Sequence, residues 1–254
     1  MIHSNGFDQF KQDHPNLWNT TLALGVGGLS FAGTMAALTV SQSSRFQNLI
    51  NSLLAANSVQ AMWYVTRAAG FITYLLFWFS TVLGLAIPTR LFDRWLPRAA
   101  TYDFHQFISL LALGFLGLHM GVLLVDQYMP YSLAQILVPF ISPYRPLWVG
   151  IGVFAFYLAL LVTITTYTRS RIGLKAFKVI HTFSLVSFLG ALLHSFVSGT
   201  DTSLLAVLWL YGITAATVAI FTGYWMVKGG LKVFAKKGLS EKLRLSDNPS
   251  AGGE

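Results

Sequence analysis

Residues 105–119 read HQFISLLALGFLGLH and residues 181–194 read HTFSLVSFLGALLH. Each run is apolar, free of Lys, Arg, Asp and Glu, and closed by a histidine at both ends. Each also extends outward to twenty or more mostly apolar residues, the length that crosses a bilayer core of about 30 Å as a helix. Strict two-residue alternation is absent, so the strand of a membrane barrel is not the reading. The two stretches together predict an all-α membrane protein with imidazoles held inside the membrane.

The whole chain agrees. Over 254 residues, 54% are hydrophobic and only 10% charged, and the mean hydropathy is +0.60. A soluble domain carries roughly 25% charge, so this chain lacks the polar surface to cover a water-soluble globule. With no cysteine, disulfide frameworks, thiol nucleophiles, iron–sulfur clusters and thiolate zinc sites are excluded.

Six apolar segments are read as spans: Leu17–Val40, Met62–Ile87, Asp103–Val125, Leu147–Tyr167, Leu174–Val197 and Leu204–Val227. The first lacks the basic flank and cleavage site of a signal peptide. Six spans place both termini on one side. On that side fall Lys11, Arg90, Arg94, Arg98, Arg169, Arg171, Lys175, Lys178, Lys228, Lys232, Lys236, Lys237, Lys242 and Arg244, which is 14 of the 17 basic residues; only Arg45, Arg67 and Arg145 lie opposite. The excess of basic residues on cytoplasmic loops makes both termini cytoplasmic and the chain a multi-pass protein of the cell (inner) membrane. The net charge of +8 thus frames the spans instead of lining one groove, and no nucleic-acid partner is expected; the partner common to all six spans is membrane lipid.

The expected organisation is a cytoplasmic segment over 1–16, a six-helix transmembrane-helix bundle over 17–227, and a basic, disordered cytoplasmic tail over 228–254. Residues Arg45–Ala56 carry apolar side chains at helical spacing and are read as a short helix on the outer surface. The motif GVGGLS at Gly25 has Ser30 in place of the third glycine of a dinucleotide fingerprint and lies within a span, so no nucleotide site is assigned to it.

Of six histidines, His3 and His14 lie in the polar N-terminal segment and are read as solvated. His105 and His119 are on the third span, His181 and His194 on the fifth. Intramembrane ionisable residues are candidates for function, and neutral imidazole is the commonest metal ligand. Both spans run in the same direction, which puts His105 beside His181 toward the cytoplasm and His119 beside His194 toward the outside. Fourteen residues advance about 21 Å and return within about 40° of the same helix face. Two stacked sites, each with one histidine from each span, suit two haem b groups with bis-histidine ligation. The 13-residue step from His181 to His194 turns through about 220°, so the fifth span is expected either to be distorted or to meet its two cofactors from different sides. Core histidines bonded across helices and a proton relay are the competing readings; the second lacks a deep carboxylate, since Asp103 and Asp126 sit at span ends.

Arg67, in WYVTRAAG at the outer end of the second span, is assigned to a haem propionate, with a snorkelling interfacial arginine as the alternative. Arg94, Arg98, Arg169, Arg171 and Lys178 are candidates for the inner propionates. Gly114, Gly117 and Gly190 would give a porphyrin room, and close helix packing explains them equally. The tryptophans cluster near span ends, as an interfacial belt does.

At these residues the chain resembles the ferric reductase-like transmembrane domain family. That family includes the membrane halves of NADPH oxidases and ferric reductases, and the haem-binding membrane subunit of the periplasmic methionine sulfoxide reductase. The 14- and 13-residue histidine steps match the family's, and TRAAG, PFISPYRPLWVGIG, TRSRIGLKAFKVIH and HSFVSGTDT are similar to bacterial members, over roughly Met62 to Ser203. The resemblance implies a two-haem membrane cytochrome b, with His105/His181 on the inner haem and His119/His194 on the outer. It implies electron flow across the membrane from a separate donor, a cytoplasmic flavoprotein or a quinol, to an external electron acceptor. The flavin and NADPH domain of the oxidases is not found after the spans, and KAFKVIH lacks the tryptophan–arginine pair expected before the first histidine in many bacterial members. A haem-bearing subunit of a larger complex, inactive alone, and a haem-free transporter or assembly protein are the alternatives.

Overall fold

The computed structural model describes residues 58–246, with side chains over 60–230. The expected first span Leu17–Val40, the surface helix Arg45–Ala56 and the N-terminal segment lie outside the described residues. Within them the chain is all-helical: α1 Ser58–Thr89, α2 Arg98–Val122, α3 Leu133–Leu137, α4 Pro146–Tyr167, α5 Arg169–Ile172, α6 Leu174–Ser198, a 3-10 turn Thr200–Ser203 and α7 Leu205–Ser246. Five of these, α1, α2, α4, α6 and α7, are long and apolar enough to cross a membrane. Even the shortest, α4 with 22 residues, rises about 33 Å at 1.5 Å per residue.

The expected spans coincide with these helices to within a few residues, except at the end. The helix α7 continues to Ser246, past the Val227 boundary and into the basic stretch read as disordered. Lys and Leu, five and four of the residues over 228–246, are good helix formers that propagate a helix already nucleated by the span, through Gly229, Gly230 and Gly238. The Ser/Asn/Pro/Gly-rich end, 247–254, lies outside the described residues.

Polarity is arranged inside out. Large apolar side chains such as Phe154, Leu205, Trp209 and Ile220 are exposed, while Thr66, Ser80, Thr89, Thr165, Ser187 and Thr214 are buried. That distribution suits a surface solvated by hydrocarbon. Most buried threonines satisfy themselves by donating to a carbonyl one turn back, as Thr81 does to Phe77 O at 2.8 Å and Thr89 to Leu85 O at 2.8 Å.

Packing is organised as two antiparallel pairs, α1 with α2 and α4 with α6; α7 lies along α1, and contacts of α1 with α6 join the pairs. Small residues let α4 and α6 approach: Ser187 Oγ donates to Ala155 O at 2.7 Å, and a Cβ on Gly190 would stand 3.0 Å from the Cβ of Ala155. A buried cluster of Tyr74, Val82, Leu85, Phe188, Tyr211 and Val218 ties α1, α6 and α7 together. The hydroxyls of Tyr74 and Thr214 share a hydrogen bond within it. The loop before α4 is held by Phe140, whose ring fills the space over Gly150 and whose φ is +70°. Arg145 precedes Pro146 with φ +43° and aims the chain into the first turn of α4.

Candidate functional site

The helix pairing brings the four intramembrane histidines together as two pairs, at opposite ends of α2 and α6. The ring centroids of His105 and His181 are 6.2 Å apart with planes at 74°, and those of His119 and His194 are 6.4 Å apart with planes at 75°. Two imidazoles bound on opposite sides of one metal at about 2.0–2.1 Å have ring centres roughly 6.3 Å apart, once about 1.1 Å from nitrogen to centre is added on each side. Both pairs therefore stand at the spacing of a shared metal, although the two pairs were built by different helix registers.

Three of the four rings sit in the same kind of seat on the neighbouring helix. His105 Nδ1 donates to Ser80 O at 2.9 Å, and its ring rests on Gly84, where a Cβ would come within 3.1 Å. His119 Nδ1 donates to Thr66 O at 2.9 Å and rests on Gly70, where a Cβ would come within 2.9 Å. His194 Nδ1 donates to Trp148 O at 3.0 Å and rests on Gly152, where a Cβ would come within 2.6 Å. In each case the carbonyl is at position i and the glycine at i+4, one turn on along the same face. A carbonyl only accepts, so Nδ1 carries the proton and Nε2 keeps the lone pair a metal needs. Such a bond also fixes the ring's orientation and strengthens the ligand.

The fourth ring has no seat. His181 Nδ1 is buried without a hydrogen-bond partner, and the ring is held by contact with Phe177, centroids 5.0 Å apart. Fourteen residues beyond Trp148 and Gly152, the repeat that separates the two seats on α1, α4 has Val162 and Thr166. Thr166 places a Cβ where the glycine would be, and the hydroxyls of both Thr165 and Thr166 already donate to Val162 O, at 3.0 and 2.8 Å. The 13-residue step accounts for the difference. The helix α6 is continuous from Leu174 to Ser198, so His181 stands about 100° around the axis from the position that a 14-residue step would use. The helix thus carries the 13-residue step without interruption.

Each pair lines a cavity. The one around His105 and His181 holds about 540 Å³ and includes Tyr102, Gln106, Thr166 and Lys178, a size within the range of about 300–1,000 Å³ for cofactor sites. The one around His119 and His194 is smaller, about 200 Å³ and below that range, and is lined by Arg67, Tyr144, Ser198 and Asp201. Arg67 pairs with Asp201 of the 3-10 turn, its Nε donating to Oδ2 at 3.1 Å and its Nη2 to Oδ1. Thr66 Oγ1 and Ser198 Oγ, both at this cavity, are buried without partners. Of the basic residues expected near the other pair, Lys178 lines its cavity, whereas Arg169 donates to the Tyr102 hydroxyl at 2.7 Å and Arg98 to Ile87 O at 3.4 Å.

Among the described residues no group of three or more His, Cys, Asp or Glu side chains forms a metal site. The sequence reading found the four histidines but not their seats. Gly117 faces open space and Gly190 packs on Ala155, whereas the glycines under the rings are Gly70, Gly84 and Gly152. One signal was available: Gly70 and Gly84 are separated by the same 14 residues as His105 and His119. In comparisons with protein-family models, curated proteins and solved structures, the chain has no match.

Proposed function

We propose that this chain is a di-haem b-type electron-transfer protein of the cell (inner) membrane, resembling the ferric reductase-like membrane domains. The observation that carries this reading is the pair of imidazole–imidazole centroid distances, 6.2 and 6.4 Å, each of which would let the two rings hold one metal between them. Haem, when bound, would supply a one-electron carrier, and His105 with His181 and His119 with His194 are the residues that would hold it. The chain's own contribution is to fix the ligands. Seats on α1 and α4 hold three of the rings through Nδ1, which leaves Nε2 of each as the atom with a lone pair for a metal. Arg67 has five N–H donors, of which Asp201 takes two, leaving others for a propionate of the cofactor at His119/His194.

In this reading there are six spans with both termini cytoplasmic, because Arg90, Arg94, Arg98, Arg169, Arg171, Lys175, Lys178 and Lys228 gather at the His105/His181 end. That end receives electrons from a separate flavoprotein or quinol, and the His119/His194 end delivers them to an external acceptor. Two histidines holding the cofactor at His119/His194 would leave an external acceptor to be reduced without coordinating to it. Outward flow moves negative charge down an inside-negative potential, worth about 2.3 kcal/mol per 100 mV for a full crossing.

Purified protein in liposomes tests the reading. With an impermeant reductant on the cytoplasmic face and impermeant ferricyanide on the other, ferricyanide should be consumed, and His119→Ala should stop it. Equal consumption in protein-free liposomes, or an unimpaired variant, would contradict transmembrane conduction.

A further inference from the structure

The two histidine pairs differ in one respect that haem ligation leaves unused. His105, His119 and His194 are each locked between a backbone carbonyl and a glycine, whereas His181 has a buried, unpartnered Nδ1 and an apolar neighbour in Phe177. A ring without a second-shell hydrogen bond is a weaker donor, and nothing polar resists its rotation. The cavity beside it is also the larger, about 540 Å³. At the other pair both rings are locked and the cavity is about 200 Å³.

We infer that His181 is the exchangeable ligand of the four, so that the His105/His181 site binds a small uncharged π-acceptor molecule, of the class of carbon monoxide or an isocyanide, at the position His181 vacates. The His119/His194 site does not. This rests on the di-haem reading. The exchange breaks the bond from His181 Nε2 to ferrous iron and forms one from the incoming ligand; the imidazole keeps its lone pair, and no electron or proton changes hands. Phe177, Leu185 and Leu113 line the cavity together with Lys178, Tyr102 and Gln106; a neutral ligand is therefore the discriminating one, because an anion would be drawn by Lys178 whether or not His181 exchanges.

The test uses the purified holoprotein in detergent. Haem per chain is measured first, then the dithionite-reduced protein is titrated with carbon monoxide and the adduct quantified by its Soret shift. The expected result is adduct on half of the haem. Adduct on none of it, or on all of it, in a protein that holds two haems overturns the inference and leaves the di-haem reading standing. A protein without haem overturns both.

Gly152→Ala assigns the reactive half. Its Cβ would stand 2.6 Å from His194 Nδ1 and push that ring off Trp148 O, unlocking the second site. If the variant keeps two haems, the adduct should rise from half to all of them; if it stays at half, His119→Ala, which is expected to leave only the haem at His105/His181, decides: that haem should bind carbon monoxide completely, and a haem that binds none overturns the assignment. If the variant keeps one haem, that haem should bind carbon monoxide completely, and a haem that binds none overturns the assignment.

Discussion

The α1/α2 pair and the α4/α6 pair solve the same problem with unequal success. Both must hold two histidines, about 20 Å apart along a helix, with their Nε2 atoms facing inward. In α2 the histidines are 14 residues apart, and α1 answers with two carbonyl–glycine seats, Ser80/Gly84 and Thr66/Gly70, at the same spacing. In α6 the step is 13 residues, and α4 offers one seat, Trp148/Gly152. The second position on α4 is closed by Thr166, and its carbonyl is consumed by threonine hydroxyls. One residue of register thus decides whether a ligand is anchored or merely enclosed. It does so without altering the distance to the opposite ring, which is 6.2 Å at the unanchored pair and 6.4 Å at the anchored one.

The most drastic way to probe this comparison is to remove ligands. His119→Ala should reduce the haem content from two to one per chain with the other site's spectrum retained, and His105→Ala should do the reciprocal. Loss of both cofactors in either variant would mean that the sites are not independent. Filling the seats is the next largest perturbation. Gly152→Ala should weaken the haem at His119/His194 by about 10–100-fold, the range seen for disturbed second-shell partners. Gly70→Ala should do somewhat less, and Gly84→Ala least, because their Cβ positions are 2.9 and 3.1 Å from a ring atom against 2.6 Å at Gly152. Haem retention after dilution or gel filtration measures the order. A Gly84→Ala variant that loses more haem than Gly152→Ala would contradict the seat description.

A redox titration sharpens the comparison further. A carbonyl bond to Nδ1–H makes the imidazole a stronger donor and favours the oxidised metal. The His105/His181 site has one such ring and the other site two, so the higher of two resolved potentials should be the one that His119→Ala leaves in place. The reverse order would show that charges such as Lys178 and the Arg67–Asp201 pair, not the ring hydrogen bonds, set the potentials.

The smallest effect concerns the loop between α2 and α3. Burial pushes the Asp126 carboxyl above its ordinary value, against the opposing hydrogen bonds from the Tyr128 and Met129 backbone, and its Oδ2 has no partner. With the folded pKa above the unfolded one, its contribution to stability is complete below the ordinary carboxylate pKa. That contribution is lost as pH rises through the raised value. Thermal unfolding in detergent should therefore fall slightly with rising pH across the acidic range, and Asp126→Asn should flatten that slope. A slope of the opposite sign would contradict the assignment.

Much of the fold was legible because hydrophobic run length is a strong signal: α4, expected at Leu147–Tyr167, is found at Pro146–Tyr167. The four histidines were legible because polar residues inside such runs are conspicuous. Their seats were not, because a backbone carbonyl carries no side-chain signature and a glycine within a span has several uses. Arg67 was read as a cofactor residue from its position, but its partner Asp201 lies on a turn 134 residues away, a contact no local pattern encodes. The last span was expected to end at Val227, whereas α7 continues to Ser246; the end of a hydrophobic run marks where a span leaves the membrane, not where its helix stops.

The central claim is that two imidazole pairs hold two haems, and the stoichiometry of the purified chain tests it most directly. A pyridine haemochromogen assay with a dithionite-reduced spectrum should give two haems per polypeptide and a low-spin b-type α-band. One haem would break the two-site description. No haem, from cells that load other cytochromes, would contradict the redox reading outright.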